Sequence, residues 1–421
     1  MNIELLRAWW RLSKLPRVGN VALNRIRERL DTVDDLIGST ARNLEFMGLN
    51  DEVASRWASD ASLDAGFDKL LAWLEPDRQG VMLAGLAPYP EQLASLNDAP
   101  TFLYWRGQAE LSSLSDRSIA MVGSRNPSHA ALEWTHEQAG KLAAAGLTVV
   151  SGMALGIDTA AHSGALRSAA SQQIEPGCTA TLAVLGCGVD VIYPKRNREL
   201  AEAILERGLL LSEFPPGTPA QAANFPSRNR IISGLTLGTV VVEAAVKSGS
   251  LITARMAASQ GREVMAVPGA LGNPLSRGCH SLIRDGAQLV EDAEQIIETL
   301  SFVSTFDRPR QMSSPAGSRG EKSPKRSATA QPSTGSQNEL NYSSGPDQKP
   351  PQNQEQSNQP RKSTRAPESA LWEFIDYSAT SVDLLVMRSG LAVHEVLQQL
   401  MILELEGYVC QVPGGYRRSE G

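Results

Sequence analysis

The stretch SIAMVGSRNPS, residues 118–128, decides the fold. Its first five side chains are small or apolar without alternation, which reads as a strand buried on both faces, the habit of a parallel sheet. Gly123 ends that strand, and Pro127 or Ser128 is placed to start a helix whose unpaired N-terminal amides favour an anion. Between them stands Arg125, a planar and permanently charged fork that matches phosphate oxygens. The loop therefore has to hold either the phosphate of a small nucleotide or the phosphate backbone of a polymer.

Outward from this loop, from about 115 to 300, the same texture repeats. The runs LTVVSG (147–152), TLAVLG (181–186), LLLSEF (209–214), TVVVEA (239–244), EVMAVPG (263–269) and AQLV (287–290) alternate with helical stretches. The predicted fold is α/β, a Rossmann-like, doubly wound and mainly parallel sheet, with ligands in the crevice beyond the carboxyl ends of its strands. Residues 1–75 read as a helical domain. LLRAWWRL is followed by LPRVGNVALNRIRERL, where Pro16 and Gly19 punctuate two amphipathic stretches. That turn is compatible with a helix-hairpin-helix, although plain helical packing is favoured. The core is expected over 76–303. Residues 304–366 are rich in Ser, Pro, Gln and Asn and read as a disordered linker, too polar to offset chain entropy. Counted from residue 306, that stretch holds ten Lys and Arg against five Asp and Glu, so it either touches nucleic acid loosely or only tethers. Apolar periodicity returns over 367–421, where three short helices and a hairpin turning at Pro413, Gly414 and Gly415 suggest a winged helix.

Composition narrows the classes. The chain has 421 residues, 42% of them hydrophobic, which suits two or three globular domains. Its formal net charge of −6 means that any nucleic-acid site must be locally basic. No run of 18 apolar residues is present, and MNIELLRAWWRLSKL carries Arg and Trp where a signal peptide would be apolar, so the expectation is a cytoplasmic protein without a membrane partner. The four cysteines, Cys178, Cys187, Cys279 and Cys410, form no C-x-x-C pair, and small buried apolar residues are expected rather than a metal site.

Five loops fall on the carboxyl edge of the predicted sheet. Beside Gly123, Ser124 and Arg125 come Ser151 to Asp158 with His162 beyond, then Tyr193-Pro194 with Lys195, Arg196 and Arg198. NFPSRNRIISGL adds Phe225, Arg228 and Arg230, and SGSLITARMA sets Ser248, Gly249, Ser250 and Thr253 at a helix start. The glycines of the 151–158 loop allow a close backbone approach, and Asp158 is placed to cap the next helix. The dinucleotide fingerprint G-x-G-x-x-G and the Walker A loop are both absent. His162 reads as a packed histidine, His280 has no evident acid partner, and Glu243 is expected to bind backbone amides or an arginine. Arginines, a lysine and aromatics without a base, nucleophile or metal ligand point to binding rather than catalysis, with no cofactor.

MVGSRNPS, VVSGMALGIDTAAHSGAL, TLAVLGCGVDVIYPKRNREL, LLSEFPPGTPAQAANFPSRNRIISGL and the run from SGSLITARMA to AQLV together resemble the DNA processing protein A (DprA, or Smf) family, continuously over about 118–290. The resemblance implies a sterile-alpha-motif-like helical domain before the core and a winged helix after it. It implies a protein that binds single-stranded DNA entering during natural transformation, protects it and loads the RecA recombinase. Carried onto this sequence, the family's strand pocket falls on Gly123, Ser124, Arg125 and Lys195; the reading of the loops adds Arg196, Phe225, Arg228, Arg230 and Ser250 as expected DNA-binding residues. It further implies a homodimer through CHSLIRDGAQLV, with His280, Ile283 and Leu289 in the interface. The recombinase surface would lie near ITARMAASQGRE, with no residue-level match. Two other readings stand beside this one. A nucleotide phosphoribohydrolase on the same fold would use Gly238-Thr239 and Glu243, but the leading Pro-Gly-Gly of its motif is missing and the spacing to Glu is one residue long. A winged-helix transcription regulator would rest on Arg388, Arg417 and Arg418, a surface poorly charged for duplex DNA.

Overall fold

The computed structural model describes residues 2–108, 117–171, 179–306, 369–412 and 414–419. The expected linker from residue 307 onward, Pro413 of the terminal turn and Cys178 lie outside the described residues.

Five helices open the chain: α1 (Ile3–Ser13), α2 (Asn20–Arg27), α3 (Ala41–Phe46), α4 (Asp51–Ser59) and α5 (Phe67–Leu74). Asn2, Thr40 and Asn50 start three of them by accepting a hydrogen bond from a backbone amide of the first turn. Their apolar faces bury Trp9, Trp10, Leu36 and Phe67 in one cluster that also contains Leu83, Phe102 and Tyr104. Those last three belong to strands β1 (Gln79–Leu83) and β2 (Phe102–Gly107), separated by the short helix α6 (Glu91–Ala94). The helical layer is thus packed on the edge of the sheet, with Asn24 Nδ2 donating to the carbonyls of Asn97 and Ala99 at the seam.

The doubly wound part follows as β3 (Ser118–Val122), α7 (His129–Ala144), β4 (Thr148–Ser151), α8 (Ile157–Ala170), β5 (Thr181–Val184), α9 (Arg198–Arg207), β6 (Leu209–Ser212), α10 (Asn224–Gly234), β7 (Gly238–Val241), α11 (Gly249–Ser259), β8 (Glu263–Ala266), α12 (Arg277–Arg284), β9 (Gln288–Leu289) and α13 (Ala293–Phe306). The nine strands are ordered β1-β2-β6-β5-β4-β3-β7-β8-β9. All neighbours from β6 to β9 are parallel, whereas β1 and β2 add antiparallel to the β6 edge. The core is therefore the Rossmann-like sheet expected from the strand runs.

Two features differ from the sequence expectation. Strands β1 and β2 were not among the predicted runs, because their burial is graded and each includes a glycine or arginine. Helix α13 reaches Phe306, so helix continues past residue 304, where the linker was expected to begin.

Chain order reverses at β3. From it the chain moves through β4, β5 and β6 on one side, then returns to β7 on the other, so the loops after β3 and β7 part and leave a crevice between them. Strand β3 is the centre of the core, with Ile119, Ala120 and Met121 fully buried.

After the undescribed segment, a turn at Trp372–Phe374 leads to α14 (Val382–Ser389), α15 (Val393–Leu405) and the antiparallel pair β10 (Val409–Val412) and β11 (Gly415–Arg418). Leu371, Ile375, Leu385, Val396, Leu400, Leu403 and Val409 form its core. Among the described residues no helix is long and apolar enough to cross a membrane.

Candidate nucleic-acid interface

The crevice at the chain reversal is an open groove of about 930 Å³. The loop after β3 supplies Gly123, Ser124, Arg125 and Asn126, the loop after β7 supplies Lys247 to Ser250, and α10 supplies Phe225 and Arg228. Gly156 makes the first loop possible. Its φ is +80°, and a side chain there would strike the carbonyl oxygens of Ser124 at 2.4 Å and of Arg125 at 2.7 Å. Ile157 N donates to the Ser124 carbonyl (3.1 Å), so the loop that carries Arg125 rests on the start of α8.

Arg125 is exposed, and its guanidinium lies 5.9 Å from the centroid of the Phe225 ring. Tyr193, 49% exposed, stands 5.8 Å from Phe225 at an angle of 44°. A cation beside two accessible rings suits phosphate contact together with base stacking. The sequence reading missed Lys247, which is exposed on the groove wall at the start of α11. Its one signal was a lysine directly before the Ser248-Gly249-Ser250 helix start. Ser250 lies in the wall as well, buried, with its hydroxyl 2.6 Å from that of Ser248.

Arg228 is placed in the same groove but is only 6% exposed. Its Nη2 donates to the Gly152 carbonyl (2.9 Å) and its Nη1 to Asn229 Oδ1 (3.1 Å). A side chain at residue 152 would meet that guanidinium at 1.7 Å, so Gly152 is the space it fills. Beside it, Asp158 accepts from the amides of Gly152 (3.1 Å) and Ala154 (3.3 Å). Asp158 therefore pins the loop after β4 rather than capping α8, whose N-cap is Gly156. Burial pushes the Asp158 carboxyl up and the Arg228 guanidinium down, and the attraction between them opposes both. Behind them, burial and then the Arg228 charge hold His162 down at about 3, so it is neutral, with Nδ1 2.7 Å from Thr181 Oγ1.

The start of α7 corrects another expectation. Its amides are not free: Ser128 N donates to Glu243 Oε2 (2.8 Å), Ala131 N to Ser128 Oγ (3.2 Å) and His129 N to Asp376 Oδ1 (3.0 Å). Two carboxylates already occupy the helix N-terminus, one of them from the C-terminal module. Glu243 also accepts from the Ser128 hydroxyl and Asn273 Nδ2, both at 2.9 Å, and burial pushes its carboxyl up. It binds a backbone amide, as expected, and both of its oxygens are engaged.

Lys195 and Arg196 are exposed on a 3₁₀ turn after the cis Tyr193–Pro194 bond and outside the groove lining. Asn197 ties that turn to the groove floor through Met153 O and Thr159 Oγ1, each at 3.0 Å. Arg230 is turned away from the groove. It pairs with Glu213 and, at 3.4 Å, with Asp98, where the N-terminal helices meet the sheet. An arginine with two acidic partners is a structural tie, and the sequence could not place those partners near it. His280 and Ile283 lie on α12, with His280 Nε2 3.0 Å from the Gly269 carbonyl, and Leu289 is 39% exposed on the outermost strand β9. Burial pushes the Cys187 thiol up to about 11 and that of Cys279 to about 12, and no metal-binding cluster occurs among the described residues.

Residues 81–301 match the family model described as DNA recombination-mediator protein A, and residues 355–415 match that of the DprA winged helix domain. Protein Smf of Escherichia coli is 39% identical over 351 residues, covering 83% of this chain and 79% of that protein. The DNA processing protein DprA of Streptococcus pneumoniae is 41% identical over 214 residues, covering 51% and 72% respectively. A solved structure of DNA processing protein A from S. pneumoniae superposes with a TM-score of 0.58 at 33% identity, covering 71% of this chain and 98% of that one.

Proposed function

This chain belongs to the DNA recombination-mediator protein A (DprA/Smf) family, and from that premise we propose that it is a single-stranded DNA-binding mediator. In this reading a homodimer in the cytoplasm grips the strand in the groove at the β3–β7 reversal, protects it and passes it to the RecA recombinase during transformation. The observation that supports the grip is the pairing of exposed cations, Arg125 and Lys247, with accessible rings at Phe225 and Tyr193, along an open groove. Backbone phosphates supply the charge that these cations meet, and stacked bases meet the rings without demanding a sequence.

Oligonucleotide binding measured while salt is raised tests the reading, on the wild type, Arg125→Ala, Lys247→Ala and the pair. The expected result is preference for single strands over duplex. The double variant should lose most of its affinity, and its slope of log affinity against log salt should be shallower by about 1.4, since each single-strand phosphate contact contributes about 0.7. Unchanged affinity in the double variant would sink the site, and release of a base from a nucleoside monophosphate would favour the hydrolase reading. For the dimer, β9 presents an unpaired strand edge with Leu289 exposed. Leu289→Arg should convert a sedimenting dimer to a monomer and weaken strand binding without touching the groove, because two linked grooves raise effective concentration.

A further inference from the structure

The C-terminal module is not merely appended to the core. Asp376, 5% exposed, accepts from His129 N at 3.0 Å at the start of α7. Arg388 joins the same contact, 3.5 Å from Asp376 and 3.3 Å from Glu133, and the Phe374 ring lies 5.7 Å from that of His129. These three contacts fix the short segment from Phe374 to Asp376 on the helix that follows the Arg125 loop. The next residue, Tyr377, is delivered into the wall of the groove that Arg125, Lys247 and Phe225 line. It is half-buried, and the Arg418 guanidinium stands 5.6 Å from its ring centroid, which limits the orientations the ring can take. On the opposite flank, Arg418 Nη2 donates to the Trp372 carbonyl at 2.8 Å, so the arginine itself is held.

We propose that Tyr377 is a base-stacking wall of the single-strand groove, so that a bound strand is held by the core and the winged helix together. The inference rests on the groove being the strand site. A half-buried aromatic ring held against the Arg418 guanidinium and lining the same groove as exposed Arg125 has the chemistry of a stacking platform, and the partner it already has lowers the ordering cost of binding.

The test uses the full chain and a short fluorescently labelled oligothymidylate, with Tyr377→Ala, Tyr377→Phe, Tyr377→Trp and the Arg125→Ala/Lys247→Ala pair. Tyr377→Ala should bind about tenfold more weakly with an unchanged salt slope, because stacking releases no counterions. Tyr377→Phe should restore affinity, and Tyr377→Trp should restore it with tryptophan emission, relative to wild type, that changes as the strand binds. Wild-type affinity in Tyr377→Ala, while the cation pair loses binding, would overturn the stacking wall and leave the groove reading intact. Tighter binding in Tyr377→Ala would also overturn it, since the ring would then obstruct the groove. If the cation pair binds normally as well, the groove reading fails and this proposal fails with it. Should Tyr377→Ala not fold, the Phe and Trp variants decide: loss of affinity in Phe or an emission blind to the strand rejects the proposal.

Discussion

The loop after β3 and helix α10 both bring an arginine to the same groove, and they use it in opposite ways. Arg125 stays exposed, with a ring beside it and no acid against it among the described contacts. Arg228 is sealed beneath, against Gly152 and Asp158. In the proposed function one charge is kept for the strand, while the other holds the groove together. The contrast teaches that counting arginines on a sheet edge overstates the charge available to a ligand, because a buried one is already committed to holding the loops.

Arg228→Ala is the strongest way to break the comparison. It removes the donor to the Gly152 carbonyl, leaves a void against Gly152 and takes away the positive charge that favours the buried Asp158 carboxylate, which together should cost about 3 kcal/mol in urea unfolding. A loss under about 1 kcal/mol would mean that Arg228 is as free as Arg125. Arg230→Ala should come next, at about 2–3 kcal/mol, because Glu213 is left desolvated at the seam with the N-terminal helices. Its strand affinity at fixed salt should match wild type, and a large loss there would return Arg230 to the strand site.

The pH dependence is smaller and has a defined sign. His162 is held at about 3 in the folded state against an ordinary 6.5, so below pH 6.5 the unfolded chain takes up a proton that the folded chain refuses. Stability is unaffected by this group above pH 6.5 and falls as pH drops from there toward 3, by at most about 1.4 kcal/mol per pH unit. His162→Gln should therefore show a shallower acid loss between pH 6 and 4 in equilibrium unfolding. The smallest stability effect belongs to Arg125→Ala, about 0.5 kcal/mol or less, in the variant that is expected to bind a strand more weakly. A melting point well below wild type would place Arg125 among the structural arginines.

Much of the fold was legible because buried parallel strands are nearly continuous apolar runs, and each of the seven runs read in the core became a strand. Strands β1 and β2 were not legible, since an antiparallel edge packed on helices mixes Trp105 and Arg106 with Leu103 and shows no such run. At the site, glycine after strand announced the groove, and Gly123, Ser124, Arg125, Phe225, Arg228 and Ser250 do line it. Lys247 was overlooked because a lone lysine before a helix start is ordinary. Tyr377 was out of reach, because it lies more than two hundred and fifty residues from Arg125 in the chain.

The sequence by itself determined that a doubly wound sheet forms and that its carboxyl edge is studded with glycine, arginine and aromatic residues, because local pattern and side-chain chemistry suffice for both. Only the tertiary structure decided which charges remain free. Glu213 and Asp98 reached Arg230, the Gly152 carbonyl reached Arg228, and Asp376 reached the start of α7, none of them a neighbour in sequence. An arginine's availability is set by the acids that folding brings within a few ångströms, and no reading of its neighbours in sequence contains that distance.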